Sequence, residues 1–154
     1  MLCTLGSTVS AAPQAPQKIT IPPFAPCTIV TKAQIEHAIG APLHDPVPRM
    51  EHATDICSYE NAQGNKVNIE VSRAKKRDLS NVLEQTKKAL PGAQIRELNG
   101  LGDKAFLVQV PKGPIMVSVY RGGDALVVSV YGMPGGPKSE AAVEQIARQA
   151  YKRF

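Results

Sequence analysis

A chain of 154 residues, 43 % of them apolar, is long enough for one domain with a real core and too apolar to be disordered throughout. With three Phe, four Tyr and no Trp, the core must rest on Val, Ile, Leu and Ala, which argues against an aromatic platform for single-stranded nucleic acid. The formal charge of +5 is spread almost evenly over the two halves, which excludes a basic tail and leaves a mild general preference for anionic surfaces.

Residues 1–11 are uncharged and weakly apolar, and Val9-Ser10-Ala11 fits the small-residue rule for signal-peptidase cleavage after Ala11. A basic start and a full apolar stretch are missing, so the segment reads as a signal-peptide remnant, the alternative being a disordered cytosolic tail. Residues 12–26 carry Pro13, Pro16, Pro22, Pro23 and Pro26 and read as an extended linker. The folded domain is expected over residues 27–154. No apolar run approaches the ~20 residues of a membrane span, so a soluble mature product is expected.

Of the three cysteines, Cys3 falls in the segment that processing would remove. Cys27 and Cys57 remain, and an even count in an exported chain reads as a disulfide, with two free buried thiols as the alternative. Closing that loop would stabilise the fold by roughly 3.5–4 kcal/mol in the chain-entropy model.

Thr31 followed by Gln34 is a capping-box pattern, and Ile35, Ala38 and Ile39 give one apolar face before Gly40 and Pro42 end the helix. Residues 41–54 read as a loop containing Pro and His. Strands are expected over 56–60 and 67–72, joined by a Gly-containing hairpin loop. In the second strand Val67, Ile69 and Val71 alternate with Lys66, Asn68, Glu70 and Ser72, so one face is buried and the other wet. Asp78 is placed to cap a second helix, whose Leu79, Val82, Leu83, Thr86 and Leu90 share a face until Pro91-Gly92 stops it. A short strand over 95–98 precedes three clear ones over 104–110, 115–120 and 125–131. Ser139 with Glu140 opens the last helix, with Val143, Ile146, Ala147, Ala150, Tyr151 and Phe154 as its stripe.

The order α-β-β-α-(β)-β-β-β-α, with short turns between successive strands, predicts an α+β fold: an antiparallel sheet of five to six strands with three helices on one face. The last three strands are apolar on both sides. Ala105, Leu107, Ile115, Val117, Val119, Val127 and Tyr131 form one set of positions; Phe106, Val108, Val110, Met116, Tyr120, Leu126, Val128 and Val130 form the other. One helical layer covers one face only, so the second needs a helix, an apolar ligand or another chain over it. Phe106, Val108, Met116, Tyr120 and Val128 mark that candidate face.

The loop with His44, Asp45, Glu51, His52 and Asp55 has metal-type donors but no ligand spacing, and Pro46 and Pro48 interrupt it. No metal and no cofactor are expected. In the stretch from Gly132 to Ser139, Pro137 stands where a phosphate loop needs glycine and removes a backbone donor. No catalytic constellation is visible; Cys57 with His52 as a thiol enzyme is countered by the disulfide reading. The densest charge cluster, Arg73, Lys75, Lys76 and Arg77, is a candidate contact for anionic lipid or polymer.

Several segments together resemble a known group. They are Cys27-Thr28-Ile29-Val30-Thr31 leading into a helix that ends Ile39-Gly40, Cys57-Ser58-Tyr59, Gly100-Leu101-Gly102-Asp103-Lys104-Ala105, Lys112-Gly113 before a strand, and a closing Ala-rich helix. Over residues 27–154 the chain resembles the small exported domains, often lipoproteins, grouped among bacterial families of unknown function. The resemblance implies a Cys27–Cys57 disulfide and a compact envelope domain without enzymatic activity. The sequence lacks the lipidation box of the lipoprotein members. Taken together, these readings lead to the expectation of an exported, non-enzymatic binding module for an apolar ligand or an envelope protein. The alternative is an accessory envelope protein that contacts an anionic surface through the basic cluster.

Overall fold

The computed structural model describes residues 26–73 and 78–154. The expectations for a signal remnant, for the linker up to residue 25, and for Lys75, Lys76 and Arg77 lie outside the described residues; Pro26, expected to end the linker, instead opens a helix. Seven antiparallel strands form one sheet: β1 (Val47–Glu51), β2 (Thr54–Glu60), β3 (Lys66–Ser72), β4 (Gln94–Glu97), β5 (Lys104–Gln109), β6 (Ile115–Arg121) and β7 (Asp124–Tyr131). Their spatial order is β1-β2-β3-β7-β6-β5-β4. Two meanders, β1–β3 and β4–β7, are thus joined edge to edge through β3 and β7. Four helices accompany them: α1 (Pro26–Ile29), α2 (Lys32–Ile39), α3 (Val82–Ala89) and α4 (Pro137–Tyr151). The α+β class and the antiparallel sheet are as expected; the sheet has seven strands instead of five or six, and there are four helices instead of three.

The capping box at α2 forms as the sequence spells it. Thr31 Oγ1 accepts from the Gln34 amide at 3.3 Å, and Gln34 Oε1 accepts from the Thr31 amide at 2.9 Å. Gly40 closes the helix with φ 70°, a left-handed conformation that glycine adopts without a Cβ penalty. Cys27 in α1 is bonded to Cys57 in β2, with a Cα–Cα distance of 5.1 Å, so the disulfide ties the start of the domain to the sheet.

The main core lies between one sheet face and α1, α2 and α4. From the sheet it takes Cys57, Tyr59, Val67, Ile69, Leu107, Val117, Leu126 and Val128; from α4 it takes Val143, Ile146, Ala147 and Ala150. The 3.6-residue spacing on α4 puts these side chains on one stripe. Small alanines on that stripe let the helix settle close to β6 and β7. Each fully buried Val or Ile contributes roughly 1.5–3 kcal/mol.

The sheet's second face is where helix placement departs from expectation. The chain leaves β3 in the middle of the sheet and must reach β4 at its far edge. The crossover carries α3 onto the second face, so the three expected helices do not share one side. Val82, Leu83 and Leu90 there pack with Phe106, Val108, Ile95, Met116 and Tyr120.

Two local expectations are also corrected. Asp78 does not cap α3: its carboxylate accepts from the Ser80 amide at 2.9 Å in a turn ahead of the helix, and Asn81 stands at the N-cap. A hydrogen bond from the Ser80 side chain, together with that amide bond, holds the exposed Asp78 carboxylate below the ordinary aspartate range. Residues 47–51, expected in a loop, form the edge strand β1. His52 and Ala53, with φ of 46° and 64°, make the tight turn into β2.

Candidate functional site

The β6–β7 turn fixes which side chains share the second face. Arg121 pairs with Asp124 across a two-residue turn, so partners along this hairpin have opposite parity: Met116 faces Ser129, and Val117 faces Val128. Phe106, Val108, Met116 and Tyr120 therefore share the α3 face, as expected. Val128 does not; it is fully buried in the main core beneath the other helices. Treating the last strand as in phase with its neighbour put Val128, with Leu126 and Val130, on the wrong face. Val127 and Tyr131 were likewise misassigned.

The apolar end of this face is closed by the chain itself. Phe106 and Val108 are 2 % and 1 % exposed beneath α3 and the residues that follow it. Among the described residues the apolar cluster stops at β6. Beyond it, across β7, β3, β2 and β1, the side chains on the same face are mostly polar, with Val127, Ile56 and Val47 interspersed.

Three aligned rows make up that half-face. Tyr131 lies beside Lys66, and Lys66 beside Glu60. In the next row Ser129, Asn68, Ser58 and Val47 follow one another across four strands. The third runs Val127, Glu70, Ile56 and Arg49. Ser58 Oγ donates to Asn68 Oδ1 at 2.9 Å, which satisfies part of a polar ladder that is otherwise buried: Asn68 is 5 % exposed and Ser129 2 %. Around this floor Arg49, Glu60 and Tyr131 reach solvent.

Burial raises the Glu70 carboxyl above the ordinary range, opposed by the positive charge of Arg49 and by a hydrogen bond with Asn68. The Tyr59 phenol, on the opposite face in the main core, is pushed up to about 12 by burial alone. It takes no part in the half-face.

Two cavities open here and share Arg49, Glu60 and Lys66. One, of about 390 Å³, also touches Gly64, Asn68 and Tyr131; the other, of about 330 Å³, extends to His44, Asp45, Val47 and Ser58. Together they make a shallow groove of mixed charge along β1–β3. The arrangement can recognise surfaces through charge pairs and hydrogen bonds.

The other sequence candidates are dispersed. Asp45 pairs with Lys32 at 3.0 Å, and Arg49 Nε lies 3.5 Å from Glu51. His52 sits in the β1–β2 turn. Among the described residues no three His, Cys, Asp or Glu side chains converge as a metal site, and no helix is long and apolar enough to cross a membrane. Arg73 forms an ion pair with Asp124 at 3.4 Å.

The sequence already put Lys66, Asn68 and Glu70 on one face, expected to be wet; Asn68 is instead buried there. Arg49 and Val47 escaped because β1 was not recognised, and Ser58 because the faces of the strand over 56–60 were not assigned. Ser118 and Ser129, two hydroxyls inside otherwise apolar strands, were the signal that could have marked where the second face turns polar. Compared with protein-family models, curated proteins and solved structures, the chain matches none.

Proposed function

We propose that the chain is a non-enzymatic, exported binding module that engages an envelope protein through the polar half-face of β1, β2, β3 and β7. One observation carries the reading: the second face is divided, with its apolar half closed by α3 and its polar half left accessible. An apolar small molecule would need the closed half, so the protein partner is favoured over the apolar ligand. The accessible half alternates in sign, with Glu60 opposite Lys66 and Arg49 in the same row as Glu70. A mixed pattern suits a protein surface better than a polymer of uniform charge such as nucleic acid or anionic lipid. Export is supported by the disulfide, which persists in oxidising compartments, and by the resemblance to small exported domains.

Site-specific photocrosslinking from position 131, in the full chain expressed in its own cell envelope, tests the reading. The expected product is a discrete protein adduct that weakens when Lys66→Glu reverses one charge of the groove. An adduct with lipid or polymer only, or a protein adduct indifferent to Lys66→Glu, overturns it.

A further inference from the structure

The outer edge of β1 borders the half-face, with which it shares Val47 and Arg49, and its free side carries a further inference. All five residues of β1 are exposed, and Val47 and Met50, at 61 % and 74 %, are two of the three exposed large hydrophobics among the described residues. Among the described residues β1 pairs with β2 alone, and an edge strand with exposed apolar side chains is a template for another strand.

The hairpin geometry says which backbone groups are free to pair. The tight turn at His52–Ala53 makes Glu51–Thr54 the hydrogen-bonded closing pair. Alternation along the ladder then directs Glu51, Arg49 and Val47 inward to β2, and the N–H and C=O of Met50 outward. Pro48 shares the outward edge, where its missing N–H costs the β1–β2 ladder nothing. Met50 is therefore the strand's outward donor.

We infer that β1 pairs antiparallel with β1 of a second copy of this chain, about a two-fold axis through Met50. In that register each Met50 N–H meets the Met50 carbonyl of the second copy. On the face that carries Arg49 and Glu51, each Arg49 stands opposite Glu51 of the second copy, so the charge pattern is self-complementary on both sides of the axis. Moving the axis to Arg49 sets Arg49 against Arg49, a like-charge pair that disfavours the pairing. Centring it on Pro48 leaves no donor at the centre. Charge and donor placement thus select one register and one occupant. The product is a continuous sheet across the two-fold axis, with the two polar half-faces side by side.

Because the contact is short, the dimer is weak, and sedimentation equilibrium at loading concentrations from about 10 to about 500 µM covers the range it requires. The wild-type chain is expected to self-associate there. Arg49→Glu makes the edge wholly acidic and Glu51→Arg makes it wholly basic, and each variant alone is expected to self-associate at least about ten-fold more weakly. Mixed together, they are expected to form a heterodimer at least as tight as the wild-type dimer, because both cross-strand pairs are then attractive. Heterodimer formation itself reports that both variants are folded. The inference is overturned if the wild-type chain is monomeric throughout the range, or if the mixture associates no more tightly than either variant alone.

Discussion

Met116 and Val128 belong to the two strands of one hairpin yet point to opposite faces of the sheet, because Ser129, not Val128, lies opposite Met116. Met116 borders the α3 cluster and is partly exposed; Val128 is fully buried in the main core, on the face that α4 covers. The same substitution should therefore have unequal effects. Val128→Glu places an unpaired carboxylate in the main core and is expected to cost about 4 kcal/mol or more, enough to unfold a marginal domain. Met116→Glu can turn its carboxylate toward solvent and is expected to cost about 1–2 kcal/mol. Urea denaturation of both variants checks this, and equal costs would contradict the face assignment.

The Cys27–Cys57 bond joins residues 30 apart in sequence and anchors α1 to β2. Its loss should release chain entropy in the unfolded state, about 3.5 kcal/mol by the loop-closure relation. Cys27→Ala/Cys57→Ala is expected to lower the denaturant midpoint and to raise the slope somewhat, because the unlinked unfolded chain exposes more surface. A midpoint equal to that of the wild type would mean that α1 is held by packing alone. Non-reducing peptide mapping of the native protein should recover the two linked peptides.

What was legible in the sequence followed from local rules that tertiary structure did not override. The capping box at Thr31, the alternation in β3 and the stripe on α4 each turned on a short-range pattern, and each formed. β1 was illegible for a physical reason: its residues are all exposed, so it lacks the alternation that burial imposes, and it contains Pro48. Its turn was equally hidden, since His52-Ala53 takes a left-handed pair of conformations usually filled by Asn-Gly. The half-face was legible only in β3. Its remaining rows depend on register, which a two-residue turn between β6 and β7 shifts by one position relative to naive in-phase counting. The side on which α3 lies depends on where β4 joins the sheet, which no local pattern records.

The Gly102 and Gly122 turns offer a matched pair for testing close packing against backbone strain. Both have φ near +60°, so a side chain at either position incurs the left-handed penalty of about 1 kcal/mol. A Cβ at Gly102 would also lie 2.2 Å from the Tyr120 carbonyl oxygen, whereas one at Gly122 would meet nothing within 4 Å. Gly122→Ala is expected to cost about 1 kcal/mol and Gly102→Ala at least about 3, because backbone must move to admit the methyl group. Thermal denaturation of the two variants side by side checks the difference. Comparable costs would mean that the 99–103 turn yields freely.

Glu70 makes the polar half-face respond to pH, and the sign follows from its surroundings. Burial raises its folded-state carboxyl above the unfolded value, and the attraction of Arg49 and the bond with Asn68 only partly offset that; Glu51 adds a smaller repulsion. The folded state therefore binds this proton more tightly than the unfolded state does. The associated stability is fully present below the unfolded carboxyl's value and is lost as pH rises through the raised folded value. At neutral pH the charge on Glu70 is thus a net cost to folding. Glu70→Gln keeps the shape and a hydrogen-bonding group beside Asn68 but removes the charge. It is expected to be more stable than the wild type at neutral pH, with the difference vanishing below about pH 4, where the wild-type carboxyl is protonated in both states. Arg49→Ala should act in the opposite direction, removing the attraction and lowering neutral-pH stability further. Urea midpoints of the three proteins across this pH range give the comparison. If Glu70→Gln is the less stable protein at neutral pH, the attraction of Arg49 outweighs burial and the carboxylate helps hold the face together.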